Sequence, residues 1–408
     1  MGVNVFPAAS GGASYSSQPP ASASSVLLDG QLVTASSIST SVTGTGAPWL
    51  LYANGAGTTT ITIAGTPYTV TAGSTVGTSA YTGSQSVTVN GPATAPATFT
   101  ASTMPSNTYW TSVTYGNGYF VAVQGSGTTA GAYSTNGSTW TASTMPTGGS
   151  TYGWSNVAYG NGYFVAVSNG TTAGAYSTNG ITWTASTMPS SRNWTSVAYG
   201  NGYYVAVATN TTTAGAYSTN GTTWTASTLP SSTSWSAVTY GLVGATNTYV
   251  AVQNAGTTAG AYSTNGTTWT ASTMPSGGSS AGWNAVTYGN GYFVAVAYST
   301  TAGAYSTNGT SWTASTMPSS SGWSSVTYGN GYYVAVASGT TAGAYSTNGT
   351  TWTASTMPSA PNWSGVTYGN GYFVAVAYGA PYTSAGAYFA QTSIPIAYGI
   401  YNGATVRA

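Results

Sequence analysis

The sequence predicts an all-β protein: a seven-bladed β-propeller with four-stranded blades, preceded by a small β-sandwich-like anchoring domain. The 408 residues are 41% hydrophobic and 1% charged, a composition that can bury a core. The motif W-x-x-V-x-Y-G occurs seven times at intervals of 40 to 48 residues, which is the repeat length of propeller blades. Asn-Gly dipeptides, which favour tight hairpin turns, recur through these copies.

Composition divides the chain into five parts. Residues 1–25 are rich in Ser, Ala, Gly and Pro and predict an extended arm. Residues 26–91 carry β-forming runs between glycine-containing turns and predict the small anchoring domain. Residues 92–97 form a proline-containing linker to the propeller at residues 98–393. Residues 394–408 form a C-terminal tail, which we expect to pack back onto the N-terminal region.

The first repeat copy predicts four strands, at residues 110–115, 119–123, 130–134 and 139–144. Asn-Gly turns connect the first strand to the second and the third to the fourth. Pro146 ends the copy because proline cannot donate a hydrogen bond to a sheet.

The seventh copy has no Asn-Gly-x-x-Trp segment and so lacks a fourth strand of its own. Residues 99–105 precede the first copy and match residues 140–146, which carry a fourth strand. The sequence therefore predicts that Phe99 to Thr103 completes the last blade and removes the open sheet edges of the ring. An alternative closure uses Ala390 to Ile394.

The composition also limits the chemistry. The chain contains two basic residues, one acidic residue, no histidine and no cysteine. General acid–base catalysis, metal coordination and binding of nucleic acid by a basic patch all need residues that are missing. We therefore expect a non-enzymatic protein with no cofactor, no metal and no nucleic-acid partner. The sequence shows no secretory signal peptide and no apolar run that predicts membrane insertion.

Ser134 to Trp140 reads S-T-N-G-S-T-W, and five later copies carry counterparts. This segment resembles the Asp-box, or BNR, repeat of sialidase-like propellers, with asparagine in place of aspartate. The resemblance implies a propeller fold but not sialidase chemistry, which needs an arginine cluster and a tyrosine–glutamate pair. The W-x-x-V-x-Y-G-N-G and Y-S-T-N-G-x-x-W repeats also resemble those of predicted bacteriophage tail and fibre proteins. That second resemblance implies attachment to a host.

The strand order places both Asn-Gly turns of a copy on one face of the ring. The loops between blades and between second and third strands lie on the other face, where the copies differ. Because function tends to reside on loops, this variable face is the candidate recognition surface. Its candidate binding residues are Tyr109, Tyr152, Arg192, Asn193, Tyr298, Tyr378 and Tyr382. Each tyrosine could equally be a packing residue, and Arg192 could be a solvated side chain. The repeated tryptophans could stack on sugars, but we expect them to fill the interfaces between blades.

These observations give a functional hypothesis. The protein is expected to be a virion structural or adhesion protein, a tail or head fibre on the extracellular virion surface. Residues 1–97 would bind other virion proteins, the propeller would bind a host glycan or receptor, and a homo-oligomer is allowed. One alternative is a secreted or cell-surface lectin-like propeller that binds neutral carbohydrate. Another is a purely architectural capsid or tail decoration protein.

Overall fold

The computed structural model of the chain describes residues 25–28, 31–34, 37–54, 58–71, 75–90, 95–106, 109–126, 129–147, 153–210, 212–254, 256, 258–277, 282–359, 361–378, 385–391 and 397–402. Every regular element in these residues is a β-strand, which confirms the all-β class. The chain divides into two compact units. Unit 1 comprises Met1–Thr94 and Gln391–Ala408, and unit 2 comprises Ala95–Ala390. The predicted arm, up to residue 24, lies outside the described residues.

Unit 1 contains one hydrogen-bonded sheet. Its strands are Ser25–Leu28, Gln31–Thr34, Ser37–Asn54, Thr58–Ile63, Thr66–Thr71, Thr75–Asn90 and Ala397–Asn402. The C-terminal strand Ala397–Asn402 pairs in parallel with Ser25–Leu28 and antiparallel with Ser37–Asn54. The tail therefore returns to the N-terminal part of the chain, as expected. It also joins the hairpin of Ser25–Leu28 and Gln31–Thr34 to the strand Ser37–Asn54. The described strands of unit 1 therefore share one sheet, whereas the predicted sandwich would have two.

Unit 2 contains antiparallel sheets of 4, 7, 4 and 11 strands, in which each repeat copy of the sequence corresponds to four strands paired in succession. The first strands are Trp110–Gly116, Trp154–Gly160, the second half of Thr184–Gly200, Trp235–Val243, Trp283–Gly289, the second half of Thr313–Gly329, and Asn362–Gly369. The second strands are Tyr119–Gln124, Tyr163–Ser168, Tyr203–Thr209, Thr246–Gln253, Tyr292–Ala297, Tyr332–Ser338 and Tyr372–Tyr378. The third strands are Ala130–Ser134, Thr171–Ser177, Thr212–Ser218, Ala259–Ser263, Thr300–Ser306, Ala342–Ser346 and Ala385–Ala390. The fourth strands are Thr141–Thr144, the first half of Thr184–Gly200, Thr225–Thr233, Thr270–Thr273, the first half of Thr313–Gly329, Thr353–Thr356 and Thr100–Thr103.

The last copy receives its fourth strand from the beginning of unit 2. Thr100–Thr103 pairs antiparallel with Ala385–Ala390, with Ala101 opposite Ala387 and Thr103 opposite Ala385. Phe99 is buried in the same core cluster as Phe373. This pairing confirms the predicted closure by residues 99–103. The alternative closure would have used Ala390 to Ile394 as the fourth strand. In the structure Ala390 belongs to the third strand, and residues 392–394 lie outside the described residues.

Three kinds of contact join each copy to the next and return from the last copy to the first. A single backbone bridge links each fourth strand to the residue two positions before the fourth strand of the next copy: Thr103–Thr139, Thr144–Thr182, Thr187–Thr223, Thr228–Thr268, Thr273–Ser311, Thr316–Thr351 and Thr356–Thr98. A tyrosine ring of each copy covers the last glycine in the first strand of the preceding copy: Gly116–Tyr159, Gly160–Tyr199, Gly200–Tyr240, Gly241–Tyr288, Gly289–Tyr328, Gly329–Tyr368 and Gly369–Tyr115.

The third contact is a hydrogen bond to the backbone carbonyl of the tryptophan that opens the next copy. Thr111 Oγ1 donates to Trp154 O at 2.8 Å, and Ser364 Oγ in the last copy donates to Trp110 O at 2.6 Å. Asn284 replaces the hydroxyl residue in the fifth copy, and its Nδ2 lies 3.4 Å from Trp323 O. All seven opening tryptophans are fully buried, so they serve as packing residues as expected.

Candidate functional site

The first strands of all seven copies surround a central cavity of about 620 Å³. Its wall is uncharged and combines small residues such as Ser112, Ser196, Ala237 and Gly365 with a valine from each copy, and Trp154 and Tyr159 also line it. Short residues suit this position because the first strands approach one another most closely here. The wall offers hydroxyl and amide groups and carries no formal charge.

One residue in each copy stands where the second strand ends, beside the residue that precedes the opening tryptophan. In the first copy, Gly125 N donates to Tyr109 O at 2.8 Å. In the fourth, Asn254 N donates to Ser234 O at 2.9 Å. We call these seven residues the mouth residues: Gly125, Asn169, Thr209, Asn254, Tyr298, Ser338 and Tyr378. All except Gly125 line the central cavity or a second cavity that shares residues with it.

The second cavity, of about 280 Å³, lies against the fourth to seventh copies. Its lining consists of four mouth residues and three other amide or hydroxyl residues: Asn254, Tyr298, Ser338 and Tyr378, with Asn284, Ser324 and Ser364. The side chains of Tyr298 and Tyr378 are 43% and 38% exposed, so their rings are open to a ligand. The cavity therefore combines two accessible aromatic rings with neutral hydrogen-bonding groups.

Contacts with the next copy position the mouth residues. The rings of Tyr378 and Tyr109 have their centroids 6.2 Å apart, with an angle of 35° between their planes. Ser338 Oγ donates to Asn362 Oδ1 at 3.0 Å. The ring of Tyr298 lies over Gly322, where a Cβ atom would be only 2.9 Å from Cε2 of the tyrosine. Each of these side chains thus contacts the neighbouring copy.

The structure brings together only some of the residues that the sequence nominated. Tyr298 and Tyr378 line the same cavity, and Tyr109 packs against Tyr378. Arg192 and Asn193 lie at the start of the third copy, and neither lines these two cavities. Arg192 is exposed, and its backbone carbonyl accepts a hydrogen bond from Gly170 N at 3.0 Å. The remaining candidates, Tyr152 and Tyr382, lie outside the described residues.

Sequence reasoning missed Asn254, Asn284 and Ser338 as members of this site. A signal for Asn254 and Ser338 was present, because the position two residues after each V-A-V segment reads G, N, T, N, Y, S and Y through the copies. Such variation stands out in a chain whose other strand positions repeat almost unchanged. Strand pairing at Thr209, Ser338 and Tyr378, and single backbone hydrogen bonds in the other four copies, place this position at the same end of every copy.

Comparison with solved structures shows the fold. Streptogramin B lyase has a TM-score of 0.61 with 12% identity over 71% of this chain and 97% of that one. A catalytically inactive histidine-to-alanine variant of virginiamycin B lyase from Staphylococcus aureus, with quinupristin, has a TM-score of 0.62 with 14% identity over 72% of this chain and 99% of that one. YCF48 bound to D1 peptide has a TM-score of 0.55 with 15% identity over 73% of this chain and 97% of that one. Unit 2 is a β-propeller. No family model and no curated protein matches the sequence.

These comparisons correct the functional hypothesis. The solved propellers that this chain resembles include a lyase and YCF48, not virion fibres, so the predicted tail-fibre, head-fibre and virion-decoration roles are wrong. The error came from reading a role into repeats whose residues specify strands, turns and packing. Identities of 12 to 15% carry no activity to this chain. Because a lyase is among these structures, the fold alone does not exclude catalysis. In the described part of the chain, no helix is long and apolar enough to span a membrane.

Proposed function

We propose that unit 2 is a seven-bladed propeller that acts as a non-catalytic scaffold and binds an uncharged polypeptide segment at the mouth of its central cavity. The observation that carries the proposal is the second cavity, where exposed Tyr298 and Tyr378 stand among asparagine and serine side chains. A blade count of seven is supported by the three kinds of contact that run from copy to copy and return to the first.

The turns between third and fourth strands support a relation to the Asp-box. In the first copy, Asn136 Oδ1 accepts hydrogen bonds from Ser138 N and Thr139 N, both at 3.0 Å. Trp140 Nε1 donates to Gly137 O at 3.0 Å. The asparagine oxygen thus organises the turn as an aspartate oxygen would. We infer an asparagine version of that turn, with a structural role.

A non-catalytic role is supported by the scarcity of the usual proton-transfer groups in the sequence. The lyase variant similar to this chain is catalytically inactive after replacement of one histidine by alanine. This chain contains no histidine anywhere, and it also has no cysteine. Its only acidic residue, Asp29, lies outside residues 95–390, which make up unit 2. General acid–base chemistry at the mouth would therefore depend on hydroxyl groups alone.

A polypeptide fits the chemistry of the mouth. An extended peptide presents one N–H and one C=O for each residue. The amides of Asn254 and Asn284 can donate and accept, and so can the serine hydroxyls. Tyrosine offers a flat apolar ring with a polar tip at a low cost in conformational entropy, which is why it is enriched at protein interfaces. The nearly uncharged surface favours a partner without strong charge.

The test uses the full-length chain, immobilised and panned against a displayed library of short random peptides. We expect enrichment of uncharged peptides whose affinity changes little with salt. Combining Tyr298→Ser with Tyr378→Ser should weaken their binding at least about tenfold, because interface tyrosines are frequent hot spots. The matched control is Leu242→Ser, which removes a side chain that is 50% exposed at the opposite end of the fourth copy.

Two results would overturn the proposal. One is a folded protein that enriches no peptide above the level of a blank surface. The other is binding that survives the double tyrosine variant but is lost with Leu242→Ser. Enrichment of charged peptides with steep salt dependence would contradict the proposed neutral partner.

A further inference from the structure

We propose that the exposed Asn-Gly turns between first and second strands are sites of spontaneous deamidation, while the chemically identical dipeptides between third and fourth strands are protected. In the first set, called the exposed turns, the glycine after the asparagine is exposed or, at Gly371, half-buried; the asparagines are Asn117, Asn161, Asn201, Asn290, Asn330 and Asn370. In the second set, called the protected turns, the following glycine is buried, although four of the asparagines are exposed; the asparagines are Asn136, Asn179, Asn220, Asn265, Asn308 and Asn348. The inference is independent of the proposed peptide binding.

Deamidation requires the backbone nitrogen of the glycine to attack Cγ of the asparagine. An N–Cγ bond forms, the Cγ–Nδ2 bond breaks, and ammonia leaves with the proton of the glycine N–H. Water then opens the resulting succinimide ring to aspartate or isoaspartate. The reaction therefore needs a glycine nitrogen and an asparagine side chain that are free to approach each other.

The Ser-Thr-Asn-Gly turns hold both groups in place. In every copy that has this turn, the glycine N–H donates to the hydroxyl of the serine at 2.8 Å. The side-chain oxygen of the asparagine accepts two further backbone N–H groups at 2.9 to 3.0 Å. The glycine itself is buried, and a Cβ atom at Gly221 would lie 2.4 Å from Cγ2 of Val165 in the preceding copy. Attack would break these bonds within a packed interface.

The Tyr-Gly-Asn-Gly turns hold their glycine less tightly. A tyrosine takes the place of the serine, and its hydroxyl is hydrogen-bonded to the glycine backbone in the turns of Gly331 and Gly371. The Nδ2 atoms of Asn117 and Asn370 donate to the next copy, to Thr178 O at 3.3 Å and to Thr135 O at 3.5 Å. All six asparagines are exposed, with φ angles between 41° and 47°. At Gly118, Gly162, Gly202, Gly291 and Gly331, nothing lies within 4 Å of the position of a Cβ atom. The glycine of these turns can move without disturbing a neighbouring copy.

The modification would change one face of the propeller. Each conversion adds a negative charge, and six conversions would act on a chain whose formal net charge is +1. All these charges would appear on the face that carries the Asn-Gly turns, opposite the mouth residues. The protein would thus acquire an acidic face with age.

The experiment incubates folded full-length protein in mildly alkaline buffer and follows deamidation by peptide mapping. Chymotrypsin suits this chain, which has 34 tyrosines but only two basic residues. It releases Gly-Asn-Gly-Tyr from the exposed turns and heptapeptides such as Ser218 to Trp224 from the protected ones. In the folded protein, we expect the asparagines recovered in the heptapeptides to deamidate at least about tenfold more slowly than those recovered in Gly-Asn-Gly-Tyr. In urea the two classes should react at similar rates.

The variant Ser218→Ala tests the cause within a single turn. It removes the acceptor of the Gly221 N–H, and it gives the third copy a heptapeptide of unique mass. We expect faster deamidation of Asn220, with the other protected turns unchanged. Equal rates for the two classes in the folded wild-type protein would overturn the proposal. An unchanged rate at Asn220 in a folded Ser218→Ala variant would overturn the assignment of protection to the serine.

Discussion

The interfaces between copies and the mouth of the central cavity follow opposite rules. At the interfaces the same contacts recur around the ring. A tyrosine ring packs over a glycine, and a side-chain hydroxyl donates to the backbone carbonyl of a tryptophan. At the mouth, residues in the same structural position are Gly, Asn, Thr, Tyr or Ser. Interface residues change little, with exceptions such as tyrosine for phenylalanine at Tyr204 and asparagine for a hydroxyl residue at Asn284, because each must fit its neighbours. Mouth residues face solvent on one side, so their identity can change without opening the ring.

The largest expected effect is an alkaline transition that acts on three interfaces at once. The hydroxyls of Tyr204, Tyr249 and Tyr333 donate to backbone carbonyls of the preceding copy. Burial raises the pKa of all three far above its usual range, and neighbouring tyrosines raise it further. The folded state therefore keeps these protons to higher pH than the unfolded chain. Stability should be fully present below about pH 10, the ordinary tyrosine pKa, and fall as pH rises above it.

Urea unfolding at a series of pH values, with tyrosinate absorbance recorded in parallel, measures this transition. Phenylalanine occupies the same position in four other copies, so a variant with all three tyrosines changed to phenylalanine is the control. Its free energy of unfolding should depend less on alkaline pH. A wild-type free energy of unfolding that stays level well above about pH 10 would show that these hydroxyls are not buried as described.

A smaller effect is expected at a single interface glycine. In Gly200→Ala the new Cβ atom would lie 2.0 Å from Cγ of Tyr240, so the ring or the sheet must shift. Overpacking of this kind costs about 1–3 kcal/mol. Gly202→Ala is the matched control two residues away, because it has a φ of 82° but no neighbour within 4 Å. It should lose about 1 kcal/mol through backbone strain alone.

Urea denaturation of both variants separates crowding from strain. If Gly202→Ala is the more destabilising of the two, the tyrosine-on-glycine contact does not limit the stability of the ring.

The next effect concerns one hydroxyl at the same interfaces. Tyr204→Phe removes the hydrogen bond to Gly160 O and should lower the free energy of unfolding by about 1 kcal/mol. The reciprocal change, Phe164→Tyr in the second copy, adds a hydroxyl that can donate to the equivalent backbone carbonyl of the preceding copy. It should therefore not destabilise the protein. Chemical denaturation of both variants provides the measurement. A neutral Tyr204→Phe with a destabilising Phe164→Tyr would show that the two copies are not equivalent.

The smallest effect on stability is expected at the mouth. Tyr378→Ser copies the residue that the sixth copy carries as Ser338, and the replaced ring is 38% exposed. Its free energy of unfolding should stay within about 0.5 kcal/mol of the wild type, although peptide binding should weaken. A loss as large as that of Gly200→Ala would mean that the Tyr378–Tyr109 pair belongs to the packing rather than to the recognition surface.

The sequence predicts interfaces and the mouth with unequal success, for a physical reason. Strand boundaries, hairpin turns and closure by residues 99–103 follow from periodicity and turn chemistry, which are local properties repeated through the chain. Tyr298 and Tyr378 were found because aromatic loop residues are conspicuous. Asn284 was missed because its role depends on which copies meet at the second cavity, and Asn254 because variation at its position does not by itself show that it lines a cavity. Insertion of Ala397–Asn402 into the sheet of unit 1 is a long-range pairing that no local pattern specifies.

The pairing of Thr100–Thr103 with Ala385–Ala390 determines when the propeller can close during synthesis of the chain. During synthesis the strand at Thr100–Thr103 leaves the ribosome before any complete copy exists, whereas its partner emerges after all the others. Each intervening sheet can form from neighbouring residues, but the ring can close only when nearly the whole propeller has been translated. Pairings between distant segments are slow to form, so closure is expected to be the late and slow event of folding. A chain interrupted before residue 385 would keep every local sheet of the earlier copies and would still expose two edges.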